Sequence, residues 1–126
     1  MAQWHYDRLS AQDNSFLLFE QGNVRMHVAS TNIFDVGPLA SPSGGIDIDL
    51  VKRATESILH LVPRYRQRLN QIPVSKHAVW VDDPRFDLGD DVRHTALCVP
   101  ESRLQLKTLV ARVMTQALER KRTLWE

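Results

Sequence analysis

A mixed α/β (α+β) architecture, a mixed sheet with helices packed on it, is what this sequence predicts, and three features predict it. Apolar residues recur at helical spacing in two long stretches, around residues 47–61 and 102–118. Segments with β-branched residues lie between them, and prolines and glycines separate the two kinds of segment. No repeat and no internal linker interrupts the 126 residues, so residues 1–126 are expected to form a single unit.

The elements follow in order. Ser10-Ala11-Gln12-Asp13 has the spacing of a capping box, with the Ser10 hydroxyl taking one orphan amide and Asp13 reaching back to another. A short helix over about Ala11–Phe19 is predicted, ending near Gly22. From Val24 to Phe34, Val24, Met26 and Val28 alternate with Arg25 and His27, which predicts a strand. The stretch from Val36 to Gly45 is a loop, because its prolines and glycines break either ladder. Asp47 or Asp49 then caps a second helix whose Leu50, Val51, Ala54, Ile58 and Leu61 share one face. Pro63 interrupts it, and Arg64–Leu69 is expected to form another turn of helix. Strands are predicted at Ala78–Asp82 and Asp91–Val99, separated by the turn-rich Asp83–Gly89 and closed by Pro100. A third helix is predicted over about Ser102–Leu118, with Leu106, Leu109, Val110, Val113, Met114 and Ala117 on its buried side. Arg120, Lys121 and Arg122 follow, where cations favour a helix C-terminus. Leu124-Trp125 behind that helix reads as the opening of a buried strand, so the chain is expected to stop on entry into a further element.

Composition sets limits on function. Hydrophobic residues make up 43% and charged residues 25%, ordinary globular values. A net charge of +1 argues against a nucleic-acid-binding field, and aromatics do not interleave with the basic residues. Cys98 is alone, so no intramolecular disulfide forms and a reducing compartment is expected. Residues 1–8 lack the basic-then-apolar order of a signal peptide, and no apolar run approaches about 20 residues. A soluble, cytoplasmic polypeptide is the expectation, with at most peripheral contact with the inner membrane or lipid inclusions.

Few groups stand out as chemistry. His27 beside Met26 is a candidate for facing a cavity, although a strand histidine more often hydrogen-bonds a neighbour. His94 and Cys98 do not make a base and nucleophile, because residues four apart on a strand lie roughly 13 Å from each other. Asp82, Asp83, Asp87, Asp90 and Asp91 crowd together, but Arg85 stands where a calcium loop needs an oxygen and the required glycine and glutamate are misplaced. No metal is expected. Arg64 and Arg68 share a helical face, where they would meet a phosphate or an anionic lipid headgroup, or simply water.

Several stretches together resemble one family. Leu9-Ser10-Ala11-Gln12-Asp13 leading into Phe16-Leu17, and Met26-His27-Val28, resemble the opening of bacterial wax ester synthase/diacylglycerol acyltransferases. Leu61–Leu69 is similar to that family's proline-interrupted basic helix. Val79–Pro84, Phe86-Asp87-Leu88 and Val92-Arg93-His94 follow in the family's order and spacing. Leu118–Glu126 resembles the stretch that ends Pro-Leu-Trp-Glu, with Leu124 and Trp125 as its structural motif. Thr123 stands where the family has proline, a departure that suggests a drifted or damaged terminus.

The resemblance implies part of one half of a chloramphenicol-acetyltransferase-like fold, with two similar halves around a substrate tunnel. It implies acyl-CoA as co-substrate with no further cofactor, and a long-chain alcohol or diacylglycerol as acceptor. A histidine of a His-His-x-x-x-Asp-Gly signature would be the general base. That signature is absent here, so none of His5, His27, His60, His77 and His94 takes the role and no catalytic residue is assigned. His27, Arg64 and Arg68 remain substrate-binding candidates. The expected function is the N-terminal segment of an acyl-CoA-dependent O-acyltransferase, its activity supplied by a missing C-terminal part. The alternative is a non-catalytic remnant that associates with itself or a partner chain through unpaired strand edges.

Overall fold

A computed structural model describes residues 5–100 and 102–126. Trp4 and the residues before it, where a leader pattern was sought, lie outside the described residues, as does Glu101. The architecture is the expected mixture of helices and sheet. Its elements are β1 (Tyr6–Arg8), α1 (Ala11–Phe19), α2 (Ile48–Ile58), β2 (Gln67–Gln71), β3 (Ala78–Asp82), α3 (Leu88–Asp91) and α4 (Arg103–Thr115), with short 3-10 turns around α2.

The sheet is antiparallel in the order β1-β3-β2, so the most apolar strand, Ala-Val-Trp-Val-Asp, takes the centre. Trp80 faces Asp7 on one side and Leu69 on the other. The central strand supplies Ala78 and Val79 to the core, which Leu9 and Leu59 complete among the described residues. The hairpin from β2 to β3 is closed by the Ile72 amide donating to the His77 carbonyl at 3.0 Å, and Lys76 takes the left-handed conformation (φ 53°) inside that turn.

The starts of the three longer helices lie where the sequence places them, although at α1 only the Ser10 arm of the expected capping box forms and the Asp13 side chain makes no return bond. The Ser10 hydroxyl accepts from the Asp13 amide at 3.1 Å, and the Asp47 carboxylate accepts from the Leu50 amide at 3.0 Å. Ser102 and Gln105 form a reciprocal capping box, at 3.2 Å in each direction.

Four expectations need correction. Val24–Phe34 is not a strand, because no described segment lies alongside to complete a ladder. Residues 91–99 are not a strand either. The Asp87 side chain caps a single helical turn, α3, which consumes Asp91, and the residues beyond it run outside any ladder. Arg64–Leu69 is not a continuous helical turn, since a 3-10 turn over Pro63–Arg66 gives way to strand β2 at Gln67. Gln-Arg-Leu-Asn-Gln carries no β-branched residue, and its strand conformation is imposed by pairing with β3. The third helix ends at Thr115, short of Leu118, where the Gln116 amide turns back to the Val113 carbonyl at 3.2 Å.

Arginines from elsewhere satisfy helix ends. Arg120 donates to the Leu17 carbonyl at 3.0 Å and the Glu20 carbonyl at 3.3 Å, closing α1 rather than the helix it follows. Arg25 donates to the Thr115 carbonyl at 3.2 Å at the end of α4. Among the described residues, no helix is long and apolar enough to cross a membrane.

Candidate functional site

The site is built around His27. It lies on the irregular segment after α1, with its side chain mostly buried, and its Nδ1 sits 3.9 Å from Glu20 Oε1. That separation is an electrostatic approach and not a hydrogen bond, and Nδ1 is buried without a partner. Glu20 is held in turn by Arg120, whose Nη2 lies 3.3 Å from Oε2. Local structure explains the pairing: α1 ends at Phe19, Glu20 is its C-cap residue, and Arg120 crosses over to that helix end.

Two concavities share His27 and Leu124. The larger, about 460 Å³, runs between His27–Ser30 and Leu124–Glu126, over a floor that includes Val113, Met114 and Leu118. The smaller, about 200 Å³, lies between α1 and the sheet, with Phe16, Leu17 and Trp80 in its walls. Trp125 is fixed at the rim of the larger one. Its ring stacks on Tyr65 at 5.1 Å between centroids, and Nε1 donates to the Tyr65 carbonyl at 2.8 Å.

The structure therefore brings three of the sequence-selected residues, His27, Leu124 and Trp125, to one place. Arg64 and Arg68 are elsewhere and do not share a helical face. Arg64 Nη2 lies 3.5 Å from Asp7 Oδ2, its Nη1 donates to Gln67 Oε1 at 2.7 Å, and its guanidinium covers the Trp80 ring at 4.8 Å. Arg68 sits in β2 with Nε 3.8 Å from Asp83 Oδ1, and that Nε has no hydrogen-bond partner. Each cation approaches a carboxylate of this chain, the exposed Asp7 for Arg64 and the buried Asp83 for Arg68. His94 and Cys98 are exposed on irregular backbone, not on one strand face.

Sequence reasoning missed Glu20, Arg120 and Tyr65. The first two are 100 residues apart in the chain, so no local spacing reveals them. It also missed the buried pair Asp91 and Thr123, in which the Thr123 hydroxyl donates to Asp91 Oδ2 at 2.8 Å. Burial pushes the Asp91 carboxyl above its ordinary value, against the opposing pull of Thr123 and Arg122. The position that departs from the family's proline thus has a specific polar contact.

Chemically, the arrangement offers one imidazole shared by a larger concavity of mixed polarity and a smaller, mostly apolar one. His27–Glu20 is the single histidine–carboxylate approach within 4.0 Å among the described residues. Among those residues, no group of three or more His, Cys, Asp or Glu side chains is placed to hold a metal ion.

Comparison with known proteins decides what kind of domain this is. The profile of the wax ester synthase/diacylglycerol acyltransferase catalytic domain matches residues 9–126. The chain belongs to that family. Among relatives of this acyltransferase segment is a probable diacylglycerol O-acyltransferase, tgs3, of Mycobacterium tuberculosis (strain CDC 1551 / Oshkosh). It is 36% identical over 120 residues, which are 94% of this chain and 42% of the relative. A second, the probable diacylglycerol O-acyltransferase tgs1 of the same strain, is 36% identical over 122 residues, 95% of this chain and 25% of the relative. The acyltransferase segment thus spans less than half the length of these curated relatives and corresponds to their N-terminal part. No solved structure matches it.

Proposed function

We propose that this polypeptide serves as the N-terminal portion of an acyl-CoA-dependent O-acyltransferase, which moves a fatty acyl group from acyl-CoA to diacylglycerol or a long-chain alcohol. The family match over residues 9–126 carries the reading. The proton on the acceptor hydroxyl is taken by a histidine outside these 126 residues, since the adjacent-histidine signature is absent from them. This portion contributes a wall of the substrate tunnel, with the apolar surfaces near His27, Leu118 and Leu124 as its contribution. Acyl-CoA is a co-substrate, and no other cofactor is proposed. Arg64 is the better placed of the two arginine candidates to meet a phosphate, because it is exposed and held by one surface carboxylate. The working location is the cytoplasmic face of a membrane or lipid inclusion, with peripheral contact.

The experiment supplies palmitoyl-CoA with dioleoylglycerol or hexadecanol to two proteins. The 126-residue chain alone is expected to form no ester. A chimera in which it replaces the matched stretch of tgs3 is expected to form ester at a rate comparable with tgs3. Turnover by the chain alone, or a folded but inactive chimera beside an active tgs3, overturns the proposal. A second reading, a non-catalytic association module, is favoured by the large apolar surface the chain leaves open.

A further inference from the structure

One edge of the His27 ring is fixed. Nδ1 is buried without a hydrogen bond and faces Glu20 Oε1 at 3.9 Å. Glu20 is anchored at both oxygens, Oε1 by the Met26 amide at 3.4 Å and Oε2 by Arg120 Nη2 at 3.3 Å. A fixed carboxylate beside one ring nitrogen favours the neutral tautomer whose proton lies on that nitrogen. Nδ1 then carries the hydrogen. The lone pair is on Nε2, at the opposite edge of a ring that lines both concavities. An imidazole held this way accepts one hydrogen bond at that edge and donates none.

The charged groups nearby select the ligand. Asp13, Glu20 and Arg120 line the smaller concavity, and Glu126 lines the larger. Arg120 offsets Glu20, and Arg93, 3.4 Å away, offsets Glu126, which leaves Asp13 in excess. A carboxylate or phosphate head meets repulsion there and finds no donor at Nε2. A hydroxyl is neutral, and it donates. The smaller concavity, about 200 Å³, falls below the roughly 300–1,000 Å³ of drug-sized sites and suits one hydrocarbon chain. We infer that His27 Nε2 accepts the hydrogen bond of a lipid hydroxyl, one hydrocarbon chain of that lipid lying against Phe16, Leu17 and Trp80.

This assignment rests on the proposed function, in which a lipid hydroxyl is the acyl acceptor. It gives the acceptor, and not the polyanionic acyl-CoA, to the surface around His27. His27 is a binding residue there. Glu20 and Arg120 are positioning residues that act through its ring, because they fix which nitrogen keeps the lone pair. The hydroxyl proton stays on its oxygen in this contact, and its removal belongs to the histidine outside these residues.

The test titrates this chain with decanol, decyl methyl ether, decanoate and monodecanoylglycerol, at a pH alkaline enough to keep imidazoles neutral. Binding is read from tryptophan fluorescence, since Trp80 and Trp125 line the two concavities, and from the imidazole nitrogen shifts of His27. Decanol is expected to bind about 10-fold more tightly than the ether, which keeps the oxygen but has no proton to donate. Decanoate is expected to bind more weakly than decanol. Monodecanoylglycerol tighter than decanol identifies a glyceride as the source of the hydroxyl, and the reverse order a fatty alcohol; both support the site. His27→Phe is expected to abolish the preference for alcohol over ether while ether binding persists. Glu20→Gln is expected to abolish it too and to move the ring proton from Nδ1 to Nε2, a change in nitrogen shifts that lost packing does not produce. No binding by decanol, equal affinity for alcohol and ether, tighter binding of decanoate, or a preference that survives both variants overturns the inference. A chimera that makes no ester while decanol still binds through His27 removes the proposed function and leaves the hydroxyl site standing. Ester formation beside a lost alcohol preference does the opposite.

Discussion

At the scale of single residues, Asp91 is a buried carboxyl with one hydrogen-bond donor, Thr123. It is 6% exposed, its carboxylate accepts from Thr123, and burial raises its pKa above the ordinary 3.8. A raised value means that the native state holds the proton more tightly than the unfolded chain. The associated stability is fully present below 3.8 and is lost as pH climbs through the folded value. Asp91→Asn keeps an acceptor for Thr123 and removes the buried charge. Its stability relative to wild type is expected to improve as pH rises from below 3.8 to 7, read from urea midpoints across that range. A difference independent of pH would show that Asp91 titrates alike in both states. Thr123→Val deletes the donor at constant shape. It is expected to cost about 1–3 kcal/mol at pH 7, because the carboxylate loses its buried partner. Trp125 works in the same way at the other end of the site, tying Leu124–Glu126 to the Tyr65 backbone.

Among elements, helix starts were legible and helix and strand ends less so. α1 begins where Ser10 dictates and stops at Phe19 as read from the sequence. α4 begins at its capping box, yet its last turn closes at Thr115, whose carbonyl is taken by Arg25 from a distant segment. Ser102→Ala is expected to destabilise the protein by about 1 kcal/mol and to lower helical ellipticity, because both arms of the box depend on that residue's geometry. An unchanged urea midpoint would mean that tertiary contacts alone hold α4. The strands teach a different lesson. β3 was legible from Ala-Val-Trp-Val-Asp, an apolar run that suits a central position with a partner on each side. Polar β2 and the short β1 were not, because each is a strand only by pairing with β3.

The molecule as a whole is open. Leu50, Ala54, Ile58 and Leu61, four of the five apolar residues read on the second helix, are exposed, as are Leu18 and Phe19 on α1. No side chain among the described residues is less than 2% exposed. The sequence patterns encode a larger core than these residues assemble, which is why periodicity reads Val24–Phe34 as a strand and the structure leaves it without a ladder. Unfolding therefore uncovers less new surface than the chain length implies. The urea m-value is expected at or below about 1 kcal/mol/M, the bottom of the range for small proteins, and should rise in complex with the remainder of the domain. A value of about 2 kcal/mol/M for the chain alone would show that it closes a core of its own.

By itself the sequence determined the fold class, the helix starts, the central strand and the family, because caps, periodicity and short collinear motifs act over a few residues of local chemistry. Tertiary structure decided that His27, Leu124 and Trp125 meet at one concavity, that Glu20 stands between His27 and Arg120, and that Arg64 approaches the exposed Asp7 while Arg68 approaches the buried Asp83. It also decided which strand-like segments become strands. A ladder needs a neighbour, and whether one lies alongside depends on the path of the whole chain and not on the segment's own residues.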